Sequence, residues 1–332
     1  MKYFITGATG FIGERLAMRL AENGNVVHAL VRSTHRAKNL NHQNIVIFEG
    51  DILDIQSIDA AMRGCDFAFH LAAYARVWSK DKDWPHKINV QGTVNVFETA
   101  LKNKLQRVVF TSTGGTLEPS DGNQPVDENP PRTIAYFNEY ESTKAEAEKV
   151  VPEFEKKGLD VVIVNPTRVY GPGLITESNA MTTIIRRFNQ GKWYFIPGDG
   201  SKLGNYVFVE DVVYGHLLAM EKGRTGQRYI LGGENITYDG FFQKLKEITS
   251  KDHRLFHVPY WLMFAGSNIH FAFARLRGRS PRITPRWIRK YLHHWAVSVV
   301  RAETELGYCV TPFDEGLQRT VDWLNKKQRN DE

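Results

Sequence analysis

One short stretch decides the fold: Thr6-Gly7-Ala8-Thr9-Gly10-Phe11-Ile12-Gly13. It follows the β-prone run Tyr3-Phe4-Ile5 and opens a helical pattern over residues 12–23. Glycine permits a tight turn and a close approach of another molecule to the backbone, and the free amides at a helix N-terminus attract phosphate. A strand, a glycine turn and a helix in this order predict a dinucleotide site rather than a purely structural turn, although the glycine spacing differs by one residue from Gly-x-Gly-x-x-Gly.

Apolar strands alternate with helical patterns through the first half of the chain. The predicted strands cover residues 3–6, 26–31, 45–48, 67–70, 108–111 and 161–164. Strands that are nearly continuous in apolar residues are typical of parallel sheets covered by helices on both faces. We therefore predict an α/β fold, with a Rossmann-type doubly wound parallel sheet and a smaller C-terminal α/β substrate domain.

The domain boundary is predicted near Pro166, where the regular pattern gives way to Gly- and Pro-rich loops and short helices. The NAD(P)-binding domain then covers 1–166 and the substrate domain 167–332. A late strand near 228–231 could return to the main sheet, which would interleave the two domains.

Composition indicates an ordinary globular protein: 42% of the residues are hydrophobic and 24% are charged. Neither the net charge of +6 nor any charge run indicates a nucleic-acid partner, and a phosphate-rich cofactor would account for part of the basic balance. Cys65 and Cys309 have neither metal-ligand nor disulfide spacing, so we expect two buried thiols, no metal and a reducing compartment. The N-terminus does not resemble a signal peptide, which favours a cytoplasmic location.

The end of the second predicted strand indicates which dinucleotide is bound. It reads Leu30-Val31-Arg32-Ser33, with no carboxylate to accept hydrogen bonds from the adenosine ribose. Arg32 and Arg36 would attract a ribose 2′-phosphate, which favours NADP(H) over NAD(H). The alternative is that the arginine after this strand only faces solvent and contacts no cofactor. After the third strand, Asp51 is either positioned to face the adenine or an ordinary loop cap.

A catalytic pair is predicted at Tyr140 and Lys144, which project from one helix face at positions i and i+4. A nearby ammonium favours the phenolate, so Lys144 should lower the pKa of Tyr140 toward the working range. Thr113, after the fifth strand, would bind the substrate oxygen, while Ser112 supports the loop or the cofactor. Asn89 could orient Lys144 through a water, although a helical asparagine is more often a packing residue.

These motifs resemble the extended short-chain dehydrogenase/reductase family, which also includes the nucleotide-sugar epimerases and dehydratases. The resemblance implies a seven-stranded parallel sheet, and a homodimer formed through helices that begin near residues 85 and 140. It assigns residues 165–172 (NPTRVYGP) to the nicotinamide side, and structural roles to the acidic residues of 208–212 (FVEDV). The predicted cofactor-binding residues are Gly7, Thr9, Gly10, Phe11, Ile12, Gly13, Arg32, Arg36, Asp51, Ile52, Leu71, Ala72, Ala73, Thr111, Ser112, Tyr140, Lys144, Pro166, Thr167 and Val169.

Gly204 stands where nucleotide-sugar enzymes of this family commonly carry an arginine for the substrate diphosphate. A neutral residue cannot make that bidentate contact. The chain is therefore most similar to the dihydroflavonol 4-reductase and 3β-hydroxysteroid dehydrogenase branch, or to the hopanoid-associated epimerase-like proteins. That resemblance implies an apolar or aromatic alcohol or ketone as the substrate.

Residues 258–274 (VPYWLMFAGSNIHFAFA) form an apolar stretch. Ser267, Asn268 and His270 argue against a membrane-spanning helix. We favour an apolar helix that covers the substrate as a lid. The alternative is a helix on the membrane surface that extends to residue 282. In that alternative the lipid would be met by four arginines, Arg275, Arg277, Arg279 and Arg282.

Three functions follow in order of preference. The first is an NADP(H)-dependent reductase or dehydrogenase acting on a hydrophobic ketone or alcohol. The second is a nucleotide-sugar epimerase or dehydratase with tightly bound NAD. The third is a dinucleotide sensor without turnover, against which the set Thr113, Tyr140 and Lys144 argues, because a sensor needs no proton donor.

Overall fold

The central element is a seven-stranded, entirely parallel sheet with the strand order β10-β6-β5-β4-β1-β2-β3. The computed structural model describes residues 1–76, 78–122, 124–175, 179–277, 280–281 and 283–331. Its strands are β1 Lys2–Thr6, β2 Val26–Val31, β3 Ile45–Glu49, β4 Phe67–His70, β5 Arg107–Thr111, β6 Val161–Pro166, β7 Arg168–Tyr170, β8 Phe195–Pro197, β9 Leu203–Phe208, β10 Arg228–Leu231, β11 Glu234–Thr237 and β12 Phe256–Val258.

Helices cover both faces of this sheet. They are α1 Phe11–Glu22, α2 Ile55–Met62, α3 Trp84–His86, α4 Gly92–Lys102, α5 Glu139–Glu148, α6 Val151–Lys156, α7 Ala180–Asn189, α8 Val209–Lys222, α9 Tyr238–Thr249, α10 Tyr260–Leu276, α11 Pro285–Ile288 and α12 Phe313–Asp331. One core lies between the sheet and helices α1 and α8, and a second lies between the sheet and helices α2, α4 and α6. The doubly wound parallel sheet predicted from the apolar strands is confirmed.

The second half of the chain builds smaller sheets beyond the carboxyl ends of the main strands. Strands β11, β9 and β7 form one sheet, and β12 pairs with β8 in another. Helices α7, α9 and α12 pack with them around a third core. The chain nevertheless returns to the main sheet, because β10 lies at its edge beside β6, and Ser120 and Val126 form β-bridges with His294 and Val297. The two halves are therefore interleaved.

The acidic residues of the FVEDV segment lie at the start of α8 and hold other elements in place. Glu210 pairs with Arg15 and Arg19 of α1. Asp211 accepts hydrogen bonds from the amide and the hydroxyl of Thr311, at 2.8 and 2.6 Å. Both contacts join distant parts of the chain, so the structural role expected for these residues matches their position.

The two cysteines differ in their surroundings. Cys65 is buried, and burial raises the pKa of its thiol to about 12. Cys309 is exposed, so the expectation of two buried thiols was wrong for it. Gly307 turns the chain with a φ of 75°, Tyr308 then points inward, and Cys309, the next residue, faces solvent. Within the described ranges, no helix combines the length and the apolar character needed to cross a membrane.

Candidate functional site

A cavity of about 870 Å³ opens at the carboxyl ends of the main strands and extends under the second half of the chain. Its wall includes every predicted site residue except Lys144. These are Gly7, Thr9, Gly10, Phe11, Ile12, Gly13, Arg32, Arg36, Asp51, Ile52, Leu71, Ala72, Ala73, Thr111, Ser112, Thr113, Tyr140, Pro166, Thr167 and Val169. Ligands bind at this edge in open α/β sheets, because the strand ends and the helix N-termini converge there.

The glycine turn is packed so closely that side chains cannot replace its hydrogens. Gly7 has a φ of 75°, and a Cβ atom there would lie 2.7 Å from the amide nitrogen of Ala72. On Gly13, a Cβ atom would lie 2.2 Å from the carbonyl oxygen of Gly7. Gly10 begins α1 with no side-chain cap on the helix. An uncapped helix start behind a bare backbone turn fits the pyrophosphate of a dinucleotide.

The two arginines after β2 are exposed and line the cavity, which places two cations at the end of the strand. Asp51 also lines the cavity, while its carboxylate accepts a hydrogen bond from the amide of Leu53 at 2.9 Å. Asp51 therefore caps its own loop, as the second of the two interpretations predicted, and it also faces the cavity.

Tyr140 lies in the first turn of α5, a helix capped by Asn138, whose side chain accepts a hydrogen bond from the amide of Glu141. Burial raises the pKa of the Tyr140 phenol to about 12, while a hydrogen bond with Thr113 opposes that rise. The phenol is therefore protonated near neutral pH. A protonated phenol beside a hydroxyl can donate a proton to a developing alkoxide.

Lys144 does not line the cavity. Its side chain is buried, and its Nζ atom lies 3.9 Å from the centroid of the Phe110 ring in the main sheet. Burial lowers the pKa of Lys144 to about 7, against the influence of Glu148. We expected Lys144 to lower the pKa of Tyr140, but the structure shows the opposite direction for Tyr140. The reason is that both groups are withdrawn from water, which favours the neutral form of each.

Glu148 is a positioning residue that the sequence motifs did not indicate. Its carboxylate accepts hydrogen bonds from Ser112, from Thr116 at 2.9 Å and from Asn165 at 2.8 Å. These contacts hold the loop that carries Thr113, and they show Ser112 supporting that loop. Glu148 follows Lys144 by one helical turn, as Lys144 follows Tyr140, but that spacing does not indicate its contacts with the Thr113 loop.

Asn89 has a packing role. Its side-chain oxygen accepts a hydrogen bond from the amide of Tyr74 at 2.7 Å, and its side-chain nitrogen donates one to Thr143 at 2.8 Å. Asn89 therefore ties the loop after β4 to α5, next to Tyr140 and Lys144 in the chain.

Comparison with known proteins identifies the family. The sequence profile described as the NAD dependent epimerase/dehydratase family matches residues 3–232, which is more than half of the chain. The chain belongs to this family. The resemblance to the extended short-chain dehydrogenases/reductases is thereby confirmed.

Several reductases and one epimerase structure are similar to this member of the epimerase/dehydratase family. A Synechocystis protein named "Putative dihydroflavonol 4-reductase" is 32% identical, over 97% of this chain and 94% of its own length. The 2-alkyl-3-oxoalkanoate reductase of Shewanella oneidensis is 26% identical, over 95% of this chain and 84% of its own length. The crystal structure of the UDP-glucose 4-epimerase of Thermotoga maritima with UDP-glucose has a TM-score of 0.80 and 26% identity, covering 99% of this chain and all of that one.

The far end of the cavity is built mainly from large side chains that the motifs of the family did not indicate. They come from several separate elements, share this part of the wall with Arg168 of the NPTRVYGP segment, and are Trp193, Tyr206, Tyr238, Phe241, Phe242, Trp287, Lys290 and Tyr291. No spacing in the sequence brings these residues together. The aromatic character of this wall fits an apolar ligand.

Gly204 of this family member leaves room for a guanidinium that comes from another strand. Arg168 and Tyr206 are register partners in β7 and β9. A Cβ atom on Gly204 would lie 2.5 Å from the Nη1 atom of Arg168. The guanidinium of Arg168 thus occupies the space beside residue 204. This weakens the sequence argument that the site has no guanidinium for a substrate diphosphate.

Helix α10 does not form the lid that the apolar sequence favoured. None of its residues lines the cavity, and within residues 258–276 only Ser267 and Ala274 are buried. The cavity wall takes Trp287, Lys290 and Tyr291 from the following segment instead. Arg275 and Arg277 are exposed. Arg279 and Arg282, which the membrane-surface alternative included, lie outside the described residues.

Proposed function

We propose that the protein is an NADP(H)-dependent reductase or dehydrogenase that moves hydride to or from the carbonyl or alcohol carbon of a hydrophobic small molecule. One observation carries the proposal: Thr113 and the protonated Tyr140 both lie in the wall of the cavity that also contains the glycine turn. The family membership and the reductase names of the relatives support an oxidoreductase.

The cofactor would be held by the turn from Gly7 to Gly13, with its nicotinamide toward Pro166 and Val169. When bound, it supplies or accepts the hydride. The Tyr140 phenol donates its proton to the substrate oxygen during reduction and takes a proton back during oxidation, while Thr113 hydrogen-bonds the same oxygen. Glu148 keeps the Thr113 loop in place.

NADP(H) is favoured over NAD(H) because Arg32 and Arg36 line the cavity after β2, where no carboxylate would repel a 2′-phosphate. A homodimer through helices that begin near residues 85 and 140 belongs to the same proposal and rests on the family resemblance. The cytoplasmic location remains a prediction from the cysteine content.

A substrate panel read by the absorbance of the reduced nicotinamide tests the proposal. Steroid and flavonoid ketones, aldehydes, apolar oxo acids and UDP-sugars would each be offered with NADPH and with NADH. We expect turnover of at least one apolar ketone with a preference for NADPH. Conversion of a UDP-sugar, with every ketone and aldehyde inert, would contradict it.

A nucleotide-sugar epimerase or dehydratase is the second candidate. The observation that favours it is the guanidinium of Arg168 over Gly204, where a diphosphate could be bound. Such an enzyme keeps NAD tightly bound, so release of stoichiometric NAD on denaturing the purified protein would support it. A sensor without turnover would leave the Thr113–Tyr140 pair without a use.

A further inference from the structure

The substrate end of the cavity contains a cation whose partners carry no formal negative charge. The guanidinium of Arg168 donates to the phenol oxygen of Tyr238 at 3.0 Å and to that of Tyr206 at 3.4 Å. It also lies over both rings, 5.3 and 5.5 Å from their centroids. In the part of the chain that the structure describes, no carboxylate forms an ion pair with it. We propose that Arg168 binds a carboxylate of the substrate, an inference that rests on the proposed function.

The surroundings of Arg168 are built to hold the guanidinium and leave it charged. Burial raises the pKa of Tyr206 and of Tyr291, so these phenols are neutral near pH 7 and do not compensate the positive charge. The glycine at residue 204 leaves space for Nη1, as its contact distance shows. Neutral hydroxyls hold the guanidinium in place without cancelling its charge, so a ligand of opposite charge can pair with it.

The balance of charge favours a carboxylate over a diphosphate. Lys290, a second cation of the substrate end, is already paired with Glu141 at 2.7 Å. The Arg168 guanidinium, which forms no ion pair with any described residue, matches a single negative charge, and its planar fork matches the two oxygens of a carboxylate.

The segment that carries Arg168 adjoins the Thr113 loop. A Cβ atom on Gly114, next to Thr113, would contact the carbonyl oxygen of Pro166 and the side chain of Thr167. Arg168 follows Pro166 by two residues, which in extended chain is about 7 Å. A substrate that spans both sites carries its carbonyl and its carboxylate on one small apolar molecule, as in an apolar oxo acid and the corresponding hydroxy acid.

Matched pairs of substrates test this without altering the protein. The wild-type enzyme would be assayed with apolar oxo acids and with their methyl esters, using NADPH. We expect the acids to be favoured by about 30-fold in kcat/KM, the size of one charge-assisted contact. Reduction of acid and ester at equal rates would overturn the carboxylate site while leaving the reductase proposal intact. The reductase proposal fails separately, if no carbonyl compound of any kind is reduced.

Arg168→Met identifies the residue responsible. We expect the preference for acid over ester to disappear, with the ratio of the two kcat/KM values falling from about 30 to about one. Arg187→Met is the matched control, because Arg187 is exposed and does not line the cavity. A variant that keeps the acid preference would contradict the proposal. If Arg168→Met fails to fold, the comparison of acids with esters on the wild-type enzyme still tests the proposal. Competition by UDP, together with equal rates for acid and ester, would assign Arg168 to a diphosphate instead.

A second inference rests on an independent observation, the outward face of α10. Five large apolar side chains of this helix are exposed and belong to none of the packed cores: Trp261, Leu262, Ile269, Phe273 and Leu276. Leu262, Ile269, Phe273 and Leu276 recur at spacings of seven, four and three, so they form one stripe. An exposed apolar stripe of this length marks an interaction surface.

Charge indicates what covers this stripe. Residues 253–302 contain nine arginines and lysines and no aspartate or glutamate. Arg275 and Arg277, at the end of the helix, are exposed. An apolar helix face flanked by basic residues is typical of helices that lie on anionic membranes. We infer that α10 binds an anionic lipid surface. The Tyr260 hydroxyl contacts the backbone of Tyr291, a cavity residue, so the lipid would lie near the substrate end.

Co-sedimentation with vesicles tests this inference on the full chain. We expect binding to phosphatidylcholine vesicles that contain phosphatidylserine, weakening with salt, and about tenfold less binding to phosphatidylcholine alone. Ile269→Glu should abolish binding, whereas Val46→Glu, an exposed apolar residue of β3, should not. Unchanged binding of Ile269→Glu would overturn the inference. If the wild-type protein does not bind vesicles and Ile269→Glu converts a dimer to a monomer in size-exclusion chromatography, the lipid inference is wrong. The stripe is then an interface between two copies of the chain.

Discussion

The two ends of the cavity are built in different ways. The nucleotide end consists mainly of backbone and small side chains at the ends of consecutive strands, and Gly13 approaches Gly7 too closely for any side chain. The substrate end consists mainly of large side chains from separate elements, gathered around Arg168. A backbone site recognises a feature that all dinucleotides share, whereas a side-chain site can change with its substrate. Tyr140 lies where the two ends meet.

The largest effect is expected at that junction. Tyr140→Phe removes the proton donor, so kcat should fall by about 1,000-fold, within the range of general acid–base catalysis. NADPH affinity, measured by fluorescence titration, should stay unchanged, because the change removes only the hydroxyl. Tyr214→Phe, at an exposed tyrosine of α8, is the control. Undiminished turnover in Tyr140→Phe would refute the catalytic role.

Gly13→Ala breaks the nucleotide end alone. The added methyl group would collide with the carbonyl of Gly7, so the turn must move, and we expect NADPH affinity to fall by about 100-fold. Gly266→Ala is the matched control, because a Cβ atom there meets nothing within 4 Å. The control should bind NADPH normally and be slightly more stable to heat. Normal NADPH affinity in Gly13→Ala would remove the glycine turn from the site.

Arg32→Asp tests whether Arg32 causes a preference for NADPH over NADH. A carboxylate after β2 repels a 2′-phosphate and can accept hydrogen bonds from ribose hydroxyls, so the affinity ratio of NADPH to NADH should fall by about 30-fold. Lys251→Asp makes the same change of charge at an exposed residue outside the cavity. An unaltered ratio in Arg32→Asp would show that Arg32 faces solvent.

A smaller effect is the pH dependence of the two directions. Burial raises the pKa of Tyr140 to about 12, so the phenol is protonated at all working pH values and reduction should keep its proton donor as pH rises. Oxidation needs the phenolate, so its kcat/KM should rise by about tenfold per pH unit between roughly pH 8 and 10. A flat oxidation profile in this range would mean that another group accepts the proton.

Local sequence was sufficient for the main sheet and for most of the nucleotide end. Residues adjacent in the chain make the glycine turn, and each of the six predicted strands corresponds to one of the observed strands β1 to β6. The strand ends converge because parallel strands share one carboxyl edge. The side chains were harder to predict. Lys144 and Tyr140 share a helix, yet the Lys144 ammonium lies over Phe110 of the main sheet and outside the cavity.

The sequence by itself thus determined the order of strands in the first half of the chain, the glycine turn and the positions of Thr113 and Tyr140, because all of these depend on neighbouring residues. Tertiary structure alone decided that Arg168 fills the space over Gly204, that Glu148 holds the Thr113 loop, that Cys309 is exposed and that α10 leaves the cavity open. The physical reason is range: a turn or a strand is set within a few residues, whereas the partner of a buried side chain is set by packing between segments far apart in the chain.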